Sequence, residues 1–240
     1  MWHDVSELRQ FYCSWLGQVA RRLIRRRLRL LWPDLAGMRV LAMGYGTPYL
    51  RPFMEQAERV VALMPERQGV SPWPVGEPGL VGLCEEAALP LPDTSIDRIL
   101  LIHAVEHSED LRRLLREVWR VLAGGGRLLV VVPNRRGLWA RFERTPFGAG
   151  RPYSQPQLDR VLTDNLFLPI RNAPALYVPP SRRRALLRLA PAWEHLGERW
   201  ARPFSGVLVS EVEKQVYVGT TLRAETRGRH PKTSPVVFGK

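Results

Sequence analysis

Cysteine is the first residue type that this chain has little of. Its 240 residues include only Cys13 and Cys84, which belong to no Cys-x-x-Cys pair and no Cys/His cluster. So few thiols exclude a disulfide framework and give no support to a cysteine-rich zinc site. We therefore expect two reduced thiols and no bound metal.

Long apolar runs are also missing. No hydrophobic stretch reaches the roughly 20 residues that a membrane-spanning helix needs, and the first residues are polar, without a signal-peptide pattern. We therefore expect a cytoplasmic protein with no transmembrane segment. A hydrophobic content of 45% is enough for one sizeable core.

Lysine is scarce in a chain that is strongly basic. The formal net charge is +13, yet lysine occurs only at Lys214, Lys232 and Lys240, so arginine supplies the charge. Polycations attract nucleic acids and anionic membranes. A composition rich in Arg, Ala, Gly and Pro also fits codon bias, however. We therefore favour a small-molecule or protein partner and keep nucleic acid as the less favoured alternative, with no oligomeric state assigned.

The first 37 residues predict one long amphipathic and basic helix. Asp4 and Glu7 have the spacing of a capping box, and Trp32-Pro33 ends the pattern. Its apolar positions are Leu16, Ala20, Leu23, Ile24, Leu28 and Leu31, and its arginines are Arg21, Arg22, Arg25, Arg26 and Arg29. Such a helix either covers the core with solvated arginines or offers a docking surface to an acidic partner, RNA or a membrane.

The chain is organised around a short apolar run, Arg39 to Met43, that ends in Gly44-Tyr45-Gly46. This pattern predicts a buried parallel strand that feeds a tight turn of the nucleotide-binding kind. A Gly-x-Gly turn alone is weak evidence, because most such turns only redirect the chain. The order of the segments that follow strengthens the evidence for a nucleotide-binding turn.

Strands and helices alternate after this turn. Further strands are predicted at 59–64, 80–83, 95–102, 128–132, 166–178 and 206–217, with a helix after Ser108 that ends at Gly124. A basic helix is predicted around 181–200, and the strand at 206–217 alternates like an antiparallel edge strand. This order predicts an α/β fold, a doubly wound and mostly parallel seven-stranded sheet with an antiparallel edge hairpin. The long loop at 134–153 suggests a lid or binding surface. We expect a basic helix at 1–37, a main domain at 38–218 and a disordered basic tail at 219–240.

Two stretches carry a family resemblance. Glu85 to His107 and Leu114 to Arg127 match, nearly position for position, the class I S-adenosylmethionine-dependent methyltransferases, particularly their type 11 domain. The resemblance covers residues 38–135 in detail and reaches 218 in architecture. It implies a Rossmann-like methyltransferase fold, S-adenosylmethionine as cofactor and methyl transfer to an acceptor.

The resemblance also implies the cofactor site. The turn Gly44-Tyr45-Gly46 would lie under the methionine part of the cofactor, and Glu85 and Glu86 would meet the adenine. His103 would lie beside the sulfonium, where it is the candidate catalytic residue. For acceptors that must lose a proton, Glu106 and His107 are further candidate bases.

The chain departs from the family pattern at Ala42, Pro48 and Met64. Met64 stands where the family has the acid that holds the ribose hydroxyls, and loss of a charged hydrogen-bond partner costs about 1.5 to 3 kcal/mol. Glu66 could replace that acid from two residues further along. These departures keep a second hypothesis open, a non-catalytic binding or regulatory protein on a degenerate methyltransferase fold.

The absence of two family motifs excludes some classes of methyl acceptor. The family's amino-directed nucleic-acid enzymes carry an Asn/Asp-Pro-Pro-aromatic motif after the fourth strand, and this chain lacks it. The chain also lacks the cysteine that the family's cytosine-directed enzymes need. The resemblance therefore favours a small-molecule, lipid or protein acceptor. A nicotinamide dehydrogenase would share the glycine turn but not the stretch from Glu85 to Asp97.

Overall fold

The computed structural model describes residues 2–181 and 183–216. It contains a seven-stranded sheet with the strand order β3-β2-β1-β4-β5-β7-β6. The strands are β1 (Arg39–Gly44), β2 (Arg59–Pro65), β3 (Val81–Cys84), β4 (Ile96–Ile102), β5 (Leu122–Pro133), β6 (Phe167–Asn172) and β7 (Val207–Lys214). The helices are α1 (Val5–Cys13), α2 (Trp15–Leu31), α3 (Thr47–Leu50), α4 (Leu111–Val121), α5 (Gln155–Asp164), α6 (Arg184–Arg188) and α7 (Ala190–Trp200).

The parallel part of the sheet explains the apolar runs of the sequence. β1 pairs in parallel with both β2 and β4, and β4 pairs in parallel with β5. Leu41 and Ile99, which are partners across β1 and β4, are both fully buried. A parallel sheet covered on both faces needs such continuous apolar strands, and the predicted α/β fold is confirmed.

The antiparallel pair lies at the predicted end of the sheet but in a different order. β7 is antiparallel to β5 on one side and to β6 on the other, so β6 is the edge strand. The prediction that the strand at 206–217 is the edge is therefore wrong. The polar residues of this strand suggest solvent exposure, yet Glu211 is fully buried. Its carboxylate accepts hydrogen bonds from Arg127, Arg171 and Trp32.

The N-terminal segment is two helices, and the prediction of one long helix is wrong. Ser14 ends α1 and caps α2, its side chain accepting a hydrogen bond from the amide of Gly17. A Cβ at Gly17 would lie 2.0 Å from the carbonyl oxygen of Phe11, so the corner needs glycine. Asp4 caps α1 by accepting from Ser6, whereas Glu7 contacts His3, so the reciprocal capping box does not form.

Both N-terminal helices pack against the sheet. Leu8 and Tyr12 of α1 and Ile24 and Leu28 of α2 are buried in the core cluster that also contains the sheet residue Leu100. α2 is also tied down by polar contacts, since a guanidinium NH₂ group of Arg25 donates to the carbonyl oxygen of Pro48 at 2.7 Å. The division into domains at residue 37 stays a prediction.

Four further details of the secondary structure differ from the sequence predictions. The cap of α4 is Asp110 rather than Ser108, and the triple glycine lies inside β5 instead of ending the helix. The predicted basic helix at 181–200 is divided into α6 and α7. The predicted strand at 166–178 is regular only from Phe167 to Asn172.

Two predictions concern the ends of the chain and its environment. The predicted disordered tail at 219–240 lies outside the described residues. Within 2–181 and 183–216, no helix has the length and apolar character needed to cross a bilayer.

Candidate functional site

The candidate site lies at one edge of the sheet, where four neighbouring parallel strands end. The strand order places the carboxyl ends of β3, β2, β1 and β4 side by side. The turn at Gly44 to Gly46 follows β1, Met64 is near the end of β2, Glu85 and Glu86 follow β3, and His103 follows β4. Ligands of doubly wound folds bind at this edge. The fold therefore brings all the predicted site residues to one edge.

The glycine turn is shaped by close contacts within the chain. Gly44 has a φ of +84°, and a Cβ at this position would lie 2.2 Å from the carbonyl oxygen of Ile102. A Cβ at Gly46 would lie 2.4 Å from the Cβ of Ala42. The amide of Tyr45 donates to Ile102 at 3.1 Å. Both glycines are thus required where the turn passes the ends of β1 and β4.

Aromatic side chains pack over this turn. We call Tyr12, Tyr45, Tyr49 and Phe147 the aromatic cluster; all four are buried. Tyr12 of α1 stacks on Tyr45 with ring centroids 5.6 Å apart. The hydroxyl of Tyr49 donates to that of Tyr12 at 2.8 Å. Burial raises the pKa of Tyr12 well above its usual value, so both hydroxyls stay neutral.

His103 connects the aromatic cluster to a buried acid. Its Nε2 is hydrogen-bonded to the Tyr12 hydroxyl at 2.7 Å, while its Nδ1 lies 3.4 Å from Oε1 of Glu106. Its φ of +53° is unusual for a residue other than glycine and marks a backbone held by its surroundings. Burial would raise the pKa of Glu106, but His103 and His107 outweigh it and hold that pKa below its usual value.

The ends of β2 and β3 have a different character. Met64 is fully buried and apolar, so no carboxylate occupies the position predicted for the ribose acid. Glu66 and Glu85 are exposed and Glu86 is half-buried; we call these three residues the acidic edge. Burial, followed by the charges of Glu66 and Glu86, raises the pKa of Cys84 to about 12. The backbone of this region is joined as well, since the amide of Glu66 donates to the carbonyl oxygen of Cys84 at 3.1 Å.

Sequence analysis missed several residues at this edge. Gln68 is fully buried, and its side-chain NH₂ donates to the carbonyl oxygen of His103 at 3.4 Å. Tyr12 comes from α1, 91 positions before His103. Phe147 belongs to the long loop and lies 4.9 Å from the His103 ring. No local sequence signal separates these three side chains from ordinary core or loop residues.

A cavity of about 530 Å³ lies farther along the same sheet edge, beside the end of β5. Its lining includes Asn134, which follows β5, and Gln155 of α5. Arg27, Arg136 and Arg202 give it a basic character. None of the predicted site residues lines this cavity. It is a second concave surface near the candidate site.

Comparison with known proteins identifies the central part of the chain. Residues 41–130 match the family model described as a methyltransferase domain. A probable S-adenosylmethionine-dependent methyltransferase of Mycobacterium tuberculosis is 49% identical over 49 residues. A counterpart in Mycolicibacterium smegmatis is 45% identical over 49 residues. The first of these matches covers 20% of this chain and only 18% of the mycobacterial protein.

Solved structures share the whole fold. A methyltransferase of Thermotoga maritima, described as a possible histamine N-methyltransferase, superposes with a TM-score of 0.61 over 88% of this chain and 96% of its own, at 18% identity. The 1,6-didemethyltoxoflavin N1-methyltransferase of Burkholderia thailandensis, solved with its substrate and S-adenosylhomocysteine, gives a TM-score of 0.59 over 88% of this chain and 85% of its own, at 18% identity.

The matched segment contains most of β1, all of β2, β3 and β4, and part of β5, which are the strands that form the candidate site. The fold likeness reaches beyond this segment, since it covers 88% of the chain. The central part of the chain is therefore similar to the methyltransferase domain, and the chain shares its fold with solved S-adenosylmethionine-dependent methyltransferases.

Proposed function

We propose that the chain transfers a methyl group from S-adenosylmethionine to a small-molecule, lipid or protein acceptor, with a small molecule preferred. One observation carries the proposal: the segment that matches the methyltransferase family supplies the strand ends at which the glycine turn, the acidic edge and His103 meet. The bound cofactor would supply an electrophilic methyl group on its sulfonium. A cytoplasmic location stays a prediction.

The residues present fit the adenosine part of this cofactor. Oε2 of Glu86 and Oε1 of Gln68 are buried without a hydrogen-bond partner among the described residues. Unpaired acceptors of this kind are costly and suit the hydroxyl and amino groups of a nucleoside. We propose that Glu86 and Glu85 bind the adenine side and that Glu66 replaces the ribose acid missing at Met64.

The aromatic cluster fits the reactive part of the site. Methyl transfer by in-line attack needs alignment and exclusion of water rather than a nucleophile from the protein. Tyr12 and Phe147 cover His103 and the glycine turn, and they keep this region dry. In this proposal His103 holds the Tyr12 hydroxyl through Nε2. A direct proton-transfer role for His103 stays a prediction.

Two features favour a small acceptor. The fold relatives from Thermotoga maritima and Burkholderia thailandensis are named for methyl transfer to nitrogen atoms of small molecules. The cavity of about 530 Å³ beside β5 has the size of a small-molecule site. Asn134 lines it at the end of β5, the strand that pairs with β4.

Calorimetric titration with S-adenosylhomocysteine tests the proposal. We expect the parent protein to bind the ligand in the micromolar range or more weakly, because Met64 replaces the ribose acid. Glu86→Gln should weaken binding about tenfold or more, the usual effect of losing a charged hydrogen-bond partner. Glu55→Gln, an exposed residue away from this edge, is the matched control and should bind like the parent.

Two results would contradict the proposal. The first is no heat and no thermal shift with millimolar S-adenosylhomocysteine, which would favour the non-catalytic hypothesis. The second is equal binding by the parent and Glu86→Gln, which would place the ligand away from the acidic edge.

A further inference from the structure

Two histidines and a glutamate converge immediately beyond β4. His103, Glu106 and His107 each offer one ligand atom, and these atoms all lie within 4.8 Å of one another. All three residues are almost completely buried, with relative exposures of 0%, 2% and 2%. Such a set is compact enough to surround one ion.

The turn that follows β4 creates this convergence. The amides of His107 and Ser108 both donate to the carbonyl oxygen of Ala104, at 3.1 and 2.9 Å, which coils the chain into a single tight turn. The turn brings the side chains at positions 103, 106 and 107 together, with one ligand atom of each within 4.8 Å of the others. The carbonyl oxygen of Glu106 accepts from the amide of Arg151 at 2.8 Å, which anchors the turn to the long loop.

The bonding inside the cluster is incomplete. Among the described residues, neither carboxylate oxygen of Glu106 has a hydrogen-bond partner, and the same holds for Nδ1 of His103. The 3.4 Å separation of Glu106 Oε1 and His103 Nδ1 is an electrostatic contact rather than a hydrogen bond. A buried carboxylate without hydrogen bonds is costly unless it is paired or coordinates a metal. His103 pairs with this carboxylate only through the 3.4 Å contact, and a cation bound among the three side chains would stabilise it further.

The surroundings have the features of a supported metal site. Histidines that bind a metal through one nitrogen usually hold the other by a hydrogen bond, which fixes the ring. The Tyr12 hydroxyl contacts Nε2 of His103 at 2.7 Å and leaves Nδ1 directed at Glu106. His3 packs its ring 5.2 Å from that of His107, and its buried Nε2 lacks a hydrogen-bond partner within the described part of the chain.

We propose that His103, Glu106 and His107 bind one divalent transition-metal ion, with His103 Nδ1 and a Glu106 carboxylate oxygen among the ligand atoms. Two imidazoles and a carboxylate are a donor set that suits Zn²⁺ and its first-row neighbours. His3, whose ring centroid lies 5.2 Å from that of His107, is a candidate for a fourth ligand. This site goes beyond the proposed methyl transfer and differs from the sequence expectation of no metal. It does not depend on cofactor binding.

Metal binding would also fix the aromatic cluster. An ion on Nδ1 leaves the imidazole proton on Nε2, where it donates to the Tyr12 oxygen. The ion would thus hold α1 against the glycine turn through His103 and Tyr12. His103 then serves as a positioning residue.

The test uses the full chain after chelation and dialysis, reloaded with Zn²⁺ or Co²⁺. We expect one ion per chain by elemental analysis, visible Co²⁺ absorption bands, and a higher Tm with Zn²⁺, because the ion binds the folded cluster. Glu106→Gln keeps the side-chain shape and should weaken binding about tenfold or more. Glu55→Gln and His195→Asn, both exposed positions, are the matched controls and should bind like the parent.

Three outcomes would overturn the proposal: no stoichiometric ion in the parent, an unchanged parent Tm with Zn²⁺, or equal affinity in the parent and Glu106→Gln. If Glu106→Gln does not fold, as judged by circular dichroism, the parent titration alone decides. S-adenosylhomocysteine binding is measured separately, so failure of the metal site and failure of the proposed function are distinguishable.

Discussion

The two halves of the candidate site differ in solvent exposure and in charge. At the ends of β2 and β3 the acidic edge is largely exposed, with Glu66 and Glu85 in solvent. At the ends of β1 and β4 the aromatic cluster excludes solvent, and His103 has no exposed surface. A ligand with a polar nucleoside and a reactive centre that must stay dry matches this division. Substitutions in the dry half should therefore change the stability of the fold, and those in the open half should change ligand binding.

The largest effect is expected at the glycine turn. Gly44→Ala should lower the free energy of unfolding by roughly 3 to 5 kcal/mol, since the new Cβ would meet the carbonyl oxygen of Ile102 at a positive φ. Gly76→Ala is the control, because Gly76 also has a positive φ but open space around it. It should cost only about 1 to 2 kcal/mol. Urea unfolding measures the free energy of unfolding of both variants. Equal losses in the two variants would show that the turn tolerates a side chain.

The next effect concerns the hydroxyl that joins α1 to β4. Tyr12→Phe removes a group that contacts both His103 and Tyr49, and it should cost about 1 to 3 kcal/mol because two buried polar atoms lose their partner. Tyr45→Phe keeps the stacked ring and should cost less than about 0.5 kcal/mol. Thermal unfolding of the two variants compares them. A smaller loss for Tyr12→Phe would mean that ring packing alone holds α1.

A third prediction concerns pH at the boundary between the two halves. The pKa of Cys84 rises from its usual 9.0 to about 12, so the folded state favours the neutral thiol. The stability that this gives is fully present below pH 9 and is lost as the pH rises toward 12. The free energy of unfolding should therefore fall less between pH 8 and pH 11 in Cys84→Ala than in the parent. Parallel pH profiles would contradict the assignment.

Thiol labelling gives an independent check of the same environment. Cys13 is exposed and Cys84 is buried, so a thiol reagent at pH 8 should modify Cys13 first. Glu66→Gln together with Glu86→Gln should make Cys84 more reactive, since both charges raise its pKa. Unchanged reactivity would show that burial alone controls the thiol.

The smallest effect is expected in the open half. Glu85→Gln should change the free energy of unfolding by no more than about 0.5 kcal/mol, because the side chain is exposed. Its effect should be on S-adenosylhomocysteine affinity instead. A large stability loss, measured in the same urea series, would remove the distinction between the two halves.

The sequence allowed the succession of strands along the chain and the α/β fold to be predicted. The apolar runs of β1, β2 and β4 are continuous because these strands are buried on both faces, and that pattern is visible without coordinates. The edge position predicted for β7 is wrong. Its buried Glu211 is neutralised by Arg127 and Arg171, which are distant in the sequence. Ser14 divides the N-terminal helices because its hydroxyl caps α2, a signal that the arginine-rich pattern on either side obscured.

The sequence by itself determined that a glycine turn, an acidic stretch and His103 would meet at one sheet edge, because parallel strands joined by crossovers end on the same side. Only the tertiary structure decided which side chains cover that edge. Tyr12, Gln68 and Phe147 reach His103 from separate parts of the chain, and contacts between such distant positions follow from packing rather than from local pattern. The same packing buries Glu106 beside His103 and His107, and this cluster is visible only in three dimensions.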